Sequence, residues 1–396
     1  MKNISALLEK KQEIKELVQK NYPRERIEVI KADHLACFEW RPVKKLPLCV
    51  LVADSNRAME RFPDYYDTET FLRFDIENLI DSLKAGSDFV PSQGLEWVGS
   101  GALATVFGSR LLFPQEKIRA ASFAIAGAWV EAVLNSCDPA VIDQKITQRY
   151  RQKAFCATNS VIPYICESLE IYREYLPPEI EIITPPKIDP FTCAALLRGS
   201  GIYMDVYDKP EGLALLLKTL TDAFIALEEK YRNILGVSGP SVCRFGTYAN
   251  GLRLSADSII NLSKEHLQKF ILPCYTSIAK AFGAVYPHVC TTKTMQGHHL
   301  YEAFLADENV CAVSAQSGIA YYEQNAGTLH GRLAVESGYP GANAHNFFED
   351  LTFCRKWLRA FIRKGYRTGI LFTTVASNLE KARAIVEIWN EEWDRV

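Results

Sequence analysis

The chain contains no internal repeat, no low-complexity stretch and no run of like charge. No segment approaches the ~18 consecutive apolar residues of a membrane-crossing helix, so no membrane partner is expected. Its 45 basic and 47 acidic side chains leave a formal net charge of −2, which is not the electrostatic footprint of a nucleic-acid-binding protein. No glycine-rich phosphate loop follows a strand-like run, which argues against nucleotide binding. The eleven cysteines are odd in number and lack paired spacing. The opening MKNISALLEKKQEIKELVQKNYP lacks the apolar stretch of a secretory signal. Together these features predict reduced thiols and a cytoplasmic location. Most cysteines, including Cys49, Cys166, Cys193, Cys243 and Cys311, sit inside apolar runs and read as small buried hydrophobes.

What is present is a large apolar fraction, 48% of 396 residues, enough to bury a sizeable core. The first 45 residues form a helical extension, with a helix ended near Pro23 and an irregular stretch after it. The apolar run at 46–53 reads as a strand buried on both faces. Helical spacing follows over 68–83, and Asp88-Phe-Val-Pro91 ends a second short strand. Residues 115–178 read as a mainly helical excursion. Beyond it, apolar strand candidates at 180–183, 202–206, 242–247, 284–290, 310–315, 332–335 and 369–372 alternate with helical stretches. Asp208-Lys-Pro-Glu211 and Ser377-Asn-Leu-Glu380 carry the cap chemistry of helix starts. Regular alternation requires parallel strands with helices outside them, in a closed barrel or an open doubly wound sheet.

Gly246-Thr-Tyr-Ala-Asn-Gly-Leu-Arg-Leu-Ser-Ala-Asp257 is followed by Leu262-Ser-Lys-Glu265, Phe270-Ile-Leu-Pro273 and His288-Val-Cys290. This block resembles the uroporphyrinogen decarboxylase superfamily, and within it the branch of corrinoid-dependent methyltransferases. Weaker similarity runs through Asp88-Phe-Val-Pro91, Pro190-Phe-Thr192, Gly331-Arg332 and Gly369, covering about three quarters of the chain. The resemblance implies a (β/α)8 TIM barrel over 46–396, with its active site at the mouth formed by the strand C-termini. It implies zinc-assisted methyl transfer involving a corrinoid-carrying partner protein or a thiol acceptor. The alternatives are decarboxylation of a tetrapyrrole-type carboxylate and a non-catalytic binding barrel. The expected partners are a small-molecule substrate, a corrinoid protein and, as a homodimer, a second copy of the chain.

His288 and Cys290 are two apart on a predicted strand, so both side chains point to one face. Imidazole and thiolate suit zinc. Asp257 is expected beside them as an acidic catalytic group, with Tyr248 as a hydrogen-bond donor into the mouth. Arg253, Gln316, Glu336, Glu96 and Trp97 are predicted to line the substrate pocket. The resemblance also implies a second cysteine ligand, but the matching stretch, Leu371-Phe-Thr-Thr374, has none. Asp257, Glu336, Cys311 or water would have to complete the centre. Cys354 reads as a packing residue of a helix. The arginine-rich N-terminal signature of the true decarboxylases is missing; Arg24, Arg26 and Arg41 do not reproduce its spacing.

Overall fold

The computed structural model describes residues 4–53, 68–95, 101–112, 121–123, 130, 133–135, 160–291, 297–315, 318–337 and 350–396. In chain order its strands are β1 (Leu48–Val52), β2 (Ser92–Gly94), β3 (Arg110–Leu112), β4 (Ala121–Phe123), β5 (Glu181–Ile183) and β6 (Ser241–Cys243). They continue with β7 (Thr247–Ala249), β8 (Gly251–Ser255), β9 (Ala284–Val289), β10 (Ala312–Ala315), β11 (Ala334–Ser337) and β12 (Ile370–Ala376). Six of them form one sheet in the order β1-β12-β11-β10-β9-β8, and every neighbouring pair is parallel. β2 and β5 pair in parallel separately, while β3–β4 and β6–β7 are antiparallel.

Helices follow the strands of the sheet: Thr68–Ala85 after β1, Leu272–Phe282 after β8, His298–Phe304 after β9, Gly318–Leu329 after β10, Leu351–Arg363 after β11 and Leu379–Asp394 after β12. Such crossovers bury both faces of a parallel sheet, and β10, β11 and nearly all of β1 and β12 are buried accordingly. β12 shows how the faces divide. Phe372 packs outward on Phe361 and Trp389, while its neighbour Thr373 turns inward to Glu336.

Three expectations are corrected. The apolar stretch at 202–206 is not a strand but part of the helix Ile202–Asp208. Its buried residues Ile202, Asp205 and Val206 recur at helical spacing, and Asp205 accepts from Arg198 at 2.9 Å. The stretch at 242–247 is interrupted because Phe245 and Gly246 both take positive φ, turning the chain into the β6–β7 hairpin. The strand that reaches the site is instead β8, whose Arg253 broke the apolar pattern although it is buried. Gly251 lets β8 approach β9, since a Cβ there would meet the Ala284 carbonyl oxygen.

The N-terminal extension holds two helices, α1 (Ile4–Asn21) and α2 (Arg24–Phe38), where an irregular stretch was expected after Pro23. Pro23 begins the second helix rather than ending the structure, because proline costs no hydrogen bond in a first turn. α2 lies at the strand N-termini: its His34 meets Cys49 at the start of β1, and its Cys37 carbonyl accepts from Gly369 just ahead of β12.

Candidate metal centre

The parallel register aligns Ser255, His288, Ser314 and Glu336 as one row across β8, β9, β10 and β11, near the strand C-termini. Residues in register on parallel strands share a face. Their side chains form one polar layer. His288 Nδ1 lies 2.9 Å from Ser314 Oγ, which donates to Glu336 Oε1 at 3.1 Å. Arg253 sits one layer below, with its Nη2 donating to Ser314 at 3.1 Å and its Nε 3.4 Å from Glu336 Oε2.

Above this layer, Cys290 Sγ lies 3.6 Å from His288 Nε2. Asp257 arrives from the 3-10 turn that follows β8, and its Oδ1 accepts the Cys290 N–H at 2.7 Å. That bond fixes the end of β9, so that the thiol turns back over the imidazole. Ligand atoms of Asp257, His288 and Cys290 all lie within 4.8 Å of one another, and theirs is the one such triad among the described residues.

The donor set fits a metal ion. A zinc ligated at about 2.0–2.1 Å by nitrogen and about 2.3 Å by sulfur, at a tetrahedral angle, keeps those atoms about 3.6 Å apart. That matches the His288–Cys290 separation. The exposed Asp257 carboxylate lies beside them, with a ligand oxygen within 4.8 Å of both. Three protein ligands with a solvent-facing side are the pattern of a site that keeps one coordination position for water or substrate.

The loop after β8 is held from behind by Asp189. It caps the helix Pro190–Arg198, accepting from Thr192 and Phe191, and its own N–H donates to the Ser255 carbonyl. Burial pushes its carboxyl up to about 6, helped by the nearby charge of Asp257. The Phe270-Ile-Leu-Pro273 segment begins within a π-helical stretch, Leu267–Ile271, just ahead of Pro273. Proline's missing N–H and its ring favour such a widened turn. Ser263 starts this helix as its N-cap, accepting from His266 N–H.

The other predicted residues fall differently. Arg253 is buried under the site and engaged by Glu336 and Ser314, and it also lines a small cavity with Lys187, Arg244 and Ser255. Glu336 is likewise buried, with Thr373 as a further donor at 3.3 Å, so it supports His288 through Ser314 instead of facing substrate. Tyr248 lies in the β6–β7 hairpin, its N–H on His34 and its ring under Lys31, toward the opposite end of the strands. Cys311 points to the Val285 carbonyl ahead of β10, and Cys354 is packed in the helix Leu351–Arg363. Burial pushes both thiols up to about 12. Glu96, Trp97 and Gln316 lie outside the described residues.

Ser314 was not among the predicted site residues. The signal for Ser314 was available: a lone hydroxyl inside the apolar run Ala312-Val-Ser-Ala315. Compared with known proteins, the chain matches no family model and no curated protein.

Proposed function

We propose that the parallel strands close into a (β/α)8 barrel and that Asp257, His288 and Cys290 bind one zinc ion at its mouth, for methyl transfer involving a corrinoid-carrying partner protein or a thiol acceptor. The barrel reading is supported by bonds that extend the six-stranded sheet at both edges. Beyond β1, Asp88 N–H donates to the Leu48 carbonyl. Beyond β8, Ser255 bridges Ile188, exchanging bonds with Lys187 and Asp189. The β2–β5 pair lies in sequence between those two contacts and supplies the remaining two strands.

The observation that carries the metal reading is the convergence of three ligand-type side chains, Asp257, His288 and Cys290, whose ligand atoms all lie within 4.8 Å of one another at a solvent-accessible position. Bound there, zinc supplies Lewis acidity that keeps a thiol deprotonated at neutral pH. The chain's own residues do the rest. Asp257 holds the Cys290 backbone, Ser314 orients the imidazole, and the exposed side leaves room for an incoming thiol. Decarboxylation is the weaker alternative, because Arg253, an arginine it would use to bind carboxylates, is buried against Glu336.

The test is elemental analysis of protein produced with zinc available. The expected result is about one zinc per chain, lost on His288→Ala with the fold retained by circular dichroism. Wild-type protein that carries no zinc would sink the proposal and leave a metal-free or non-catalytic barrel.

A further inference from the structure

We infer that Ser314 is the positioning residue that holds His288 in its Nδ1–H tautomer and thereby presents the Nε2 lone pair to the metal centre. The inference rests on the metal-centre reading and deepens it. Proton accounting leads to it. Glu336 is a carboxylate paired with Arg253, so its oxygens can only accept. Ser314 has one hydroxyl proton, and at 3.1 Å it goes to Glu336 Oε1. The guanidinium of Arg253 can only donate, and its Nη2 takes one lone pair of Ser314 Oγ at 3.1 Å. The second lone pair faces His288 Nδ1 at 2.9 Å. Two acceptors cannot bond each other, so Nδ1 carries the hydrogen. In the neutral ring, Nε2, facing Cys290 Sγ, is therefore the acceptor nitrogen.

Every group in this chain is fixed by its surroundings. Ser314 and the side chains of Arg253 and Glu336 are at most 5% exposed, and Thr373 donates to the same Glu336 oxygen that Ser314 uses. Turned toward His288, the serine hydroxyl would give up its 3.1 Å bond to the buried Glu336 Oε1 and leave that oxygen the longer Thr373 bond at 3.3 Å. The carboxylate thus acts on the metal ligand through a hydroxyl, in the manner of the outer carboxylate partners that set ligand orientation in metal sites. Ser314 does not touch substrate or metal.

The test reads the tautomer directly. In metal-free protein carrying ¹⁵N-labelled histidine, long-range ¹H–¹⁵N correlation at neutral pH should show His288 protonated on Nδ1. Ser314→Ala should shift it toward Nε2–H, and Ser314→Thr, which keeps the hydroxyl, should restore the wild-type pattern. Cobalt(II), titrated as the probe metal against a competing chelator, should bind Ser314→Ala about 10- to 100-fold more weakly, with recovery in Ser314→Thr. An Nε2–H tautomer in the wild type, or cobalt affinity unchanged in Ser314→Ala, would overturn the role of Ser314 even if the metal centre stands. Should the wild type fail to bind cobalt yet show the Nδ1–H tautomer dependent on Ser314, the metal reading fails while the positioning role holds.

Discussion

Among the described residues, two histidine–cysteine pairs share the same 3.6 Å separation, His288–Cys290 and His34–Cys49, set at opposite ends of the strands. They differ in what the other ring nitrogen does. His34 Nδ1 accepts the Tyr248 N–H at 3.0 Å, so Nε2 carries the hydrogen and points it at Cys49. That thiol in turn donates to the Asp88 carbonyl. Burial drops the His34 imidazole to about 4 and pushes the Cys49 thiol well above its ordinary value. The pair is a closed, neutral packing unit. His288 is oriented the other way, by a hydroxyl that accepts, and its cysteine is exposed. Spacing between sulfur and nitrogen alone therefore does not distinguish a candidate metal site; the partner of the second nitrogen and access to solvent do.

The largest predicted contrast is in thiol reactivity. Cys290 reacts from the folded state, whereas Cys49 must wait for the protein to open. With chelator-treated protein and iodoacetamide, site-resolved mass spectrometry should find Cys290 alkylated at least about a thousandfold faster than Cys49. Comparable rates would remove the distinction between the pairs. Zinc affinity comes next: Cys290→Ser should weaken it by about a hundredfold or more, and Cys49→Ser should leave it unchanged. A loss in Cys49→Ser would mean that the buried pair, too, takes part in binding.

A third contrast is thermodynamic. His34 titrates at about 4 when folded against 6.5 when unfolded. The unfolded chain binds the extra proton between those values, so stability is fully present above pH 6.5 and is lost as pH falls toward 4. Asp189 runs the other way: its carboxyl is raised from 3.8 to about 6, so its contribution is lost as pH rises through that range. The two slopes oppose each other between pH 4 and 6. His34 must therefore be isolated by difference, comparing urea unfolding of wild type and His34→Asn at pH 7 and pH 4.5. The wild type should lose up to about 3 kcal/mol more than the variant. Equal losses would mean that His34 is not held neutral.

The sequence revealed the two-residue spacing of His288 and Cys290 and the nearby Asp257, and most strands were legible as apolar runs. It failed where a buried charge or a turn residue interrupted such a run. β8 was hidden by Arg253, which is tolerated inside only because Glu336 comes from a strand about 80 residues away. Phe245 and Gly246 bent what read as a strand into a hairpin. Ser314 stood out only as a lone hydroxyl in an apolar run, and its role depends on register, which places it beside His288 on one strand and Glu336 on another. His34 and Cys49 share no sequence spacing at all. Only the docking of α2 on the strand N-termini brings them together.

The smallest contrast separates the two jobs of Asp257. Its Oδ1 holds the Cys290 N–H, a structural task that an amide oxygen performs equally well. Its negative charge matters only if it ligates the metal. Asp257→Asn should therefore keep the rapid alkylation of Cys290 in metal-free protein, since the strand end stays pinned, while zinc affinity falls about tenfold, the effect of losing an anionic ligand but not the site. If alkylation slows as well, the carboxylate's charge also shapes the thiol environment. If zinc affinity is unchanged, Asp257 is a backbone clamp alone, and two protein ligands, His288 and Cys290, would carry the centre as the buried His34–Cys49 pair cannot.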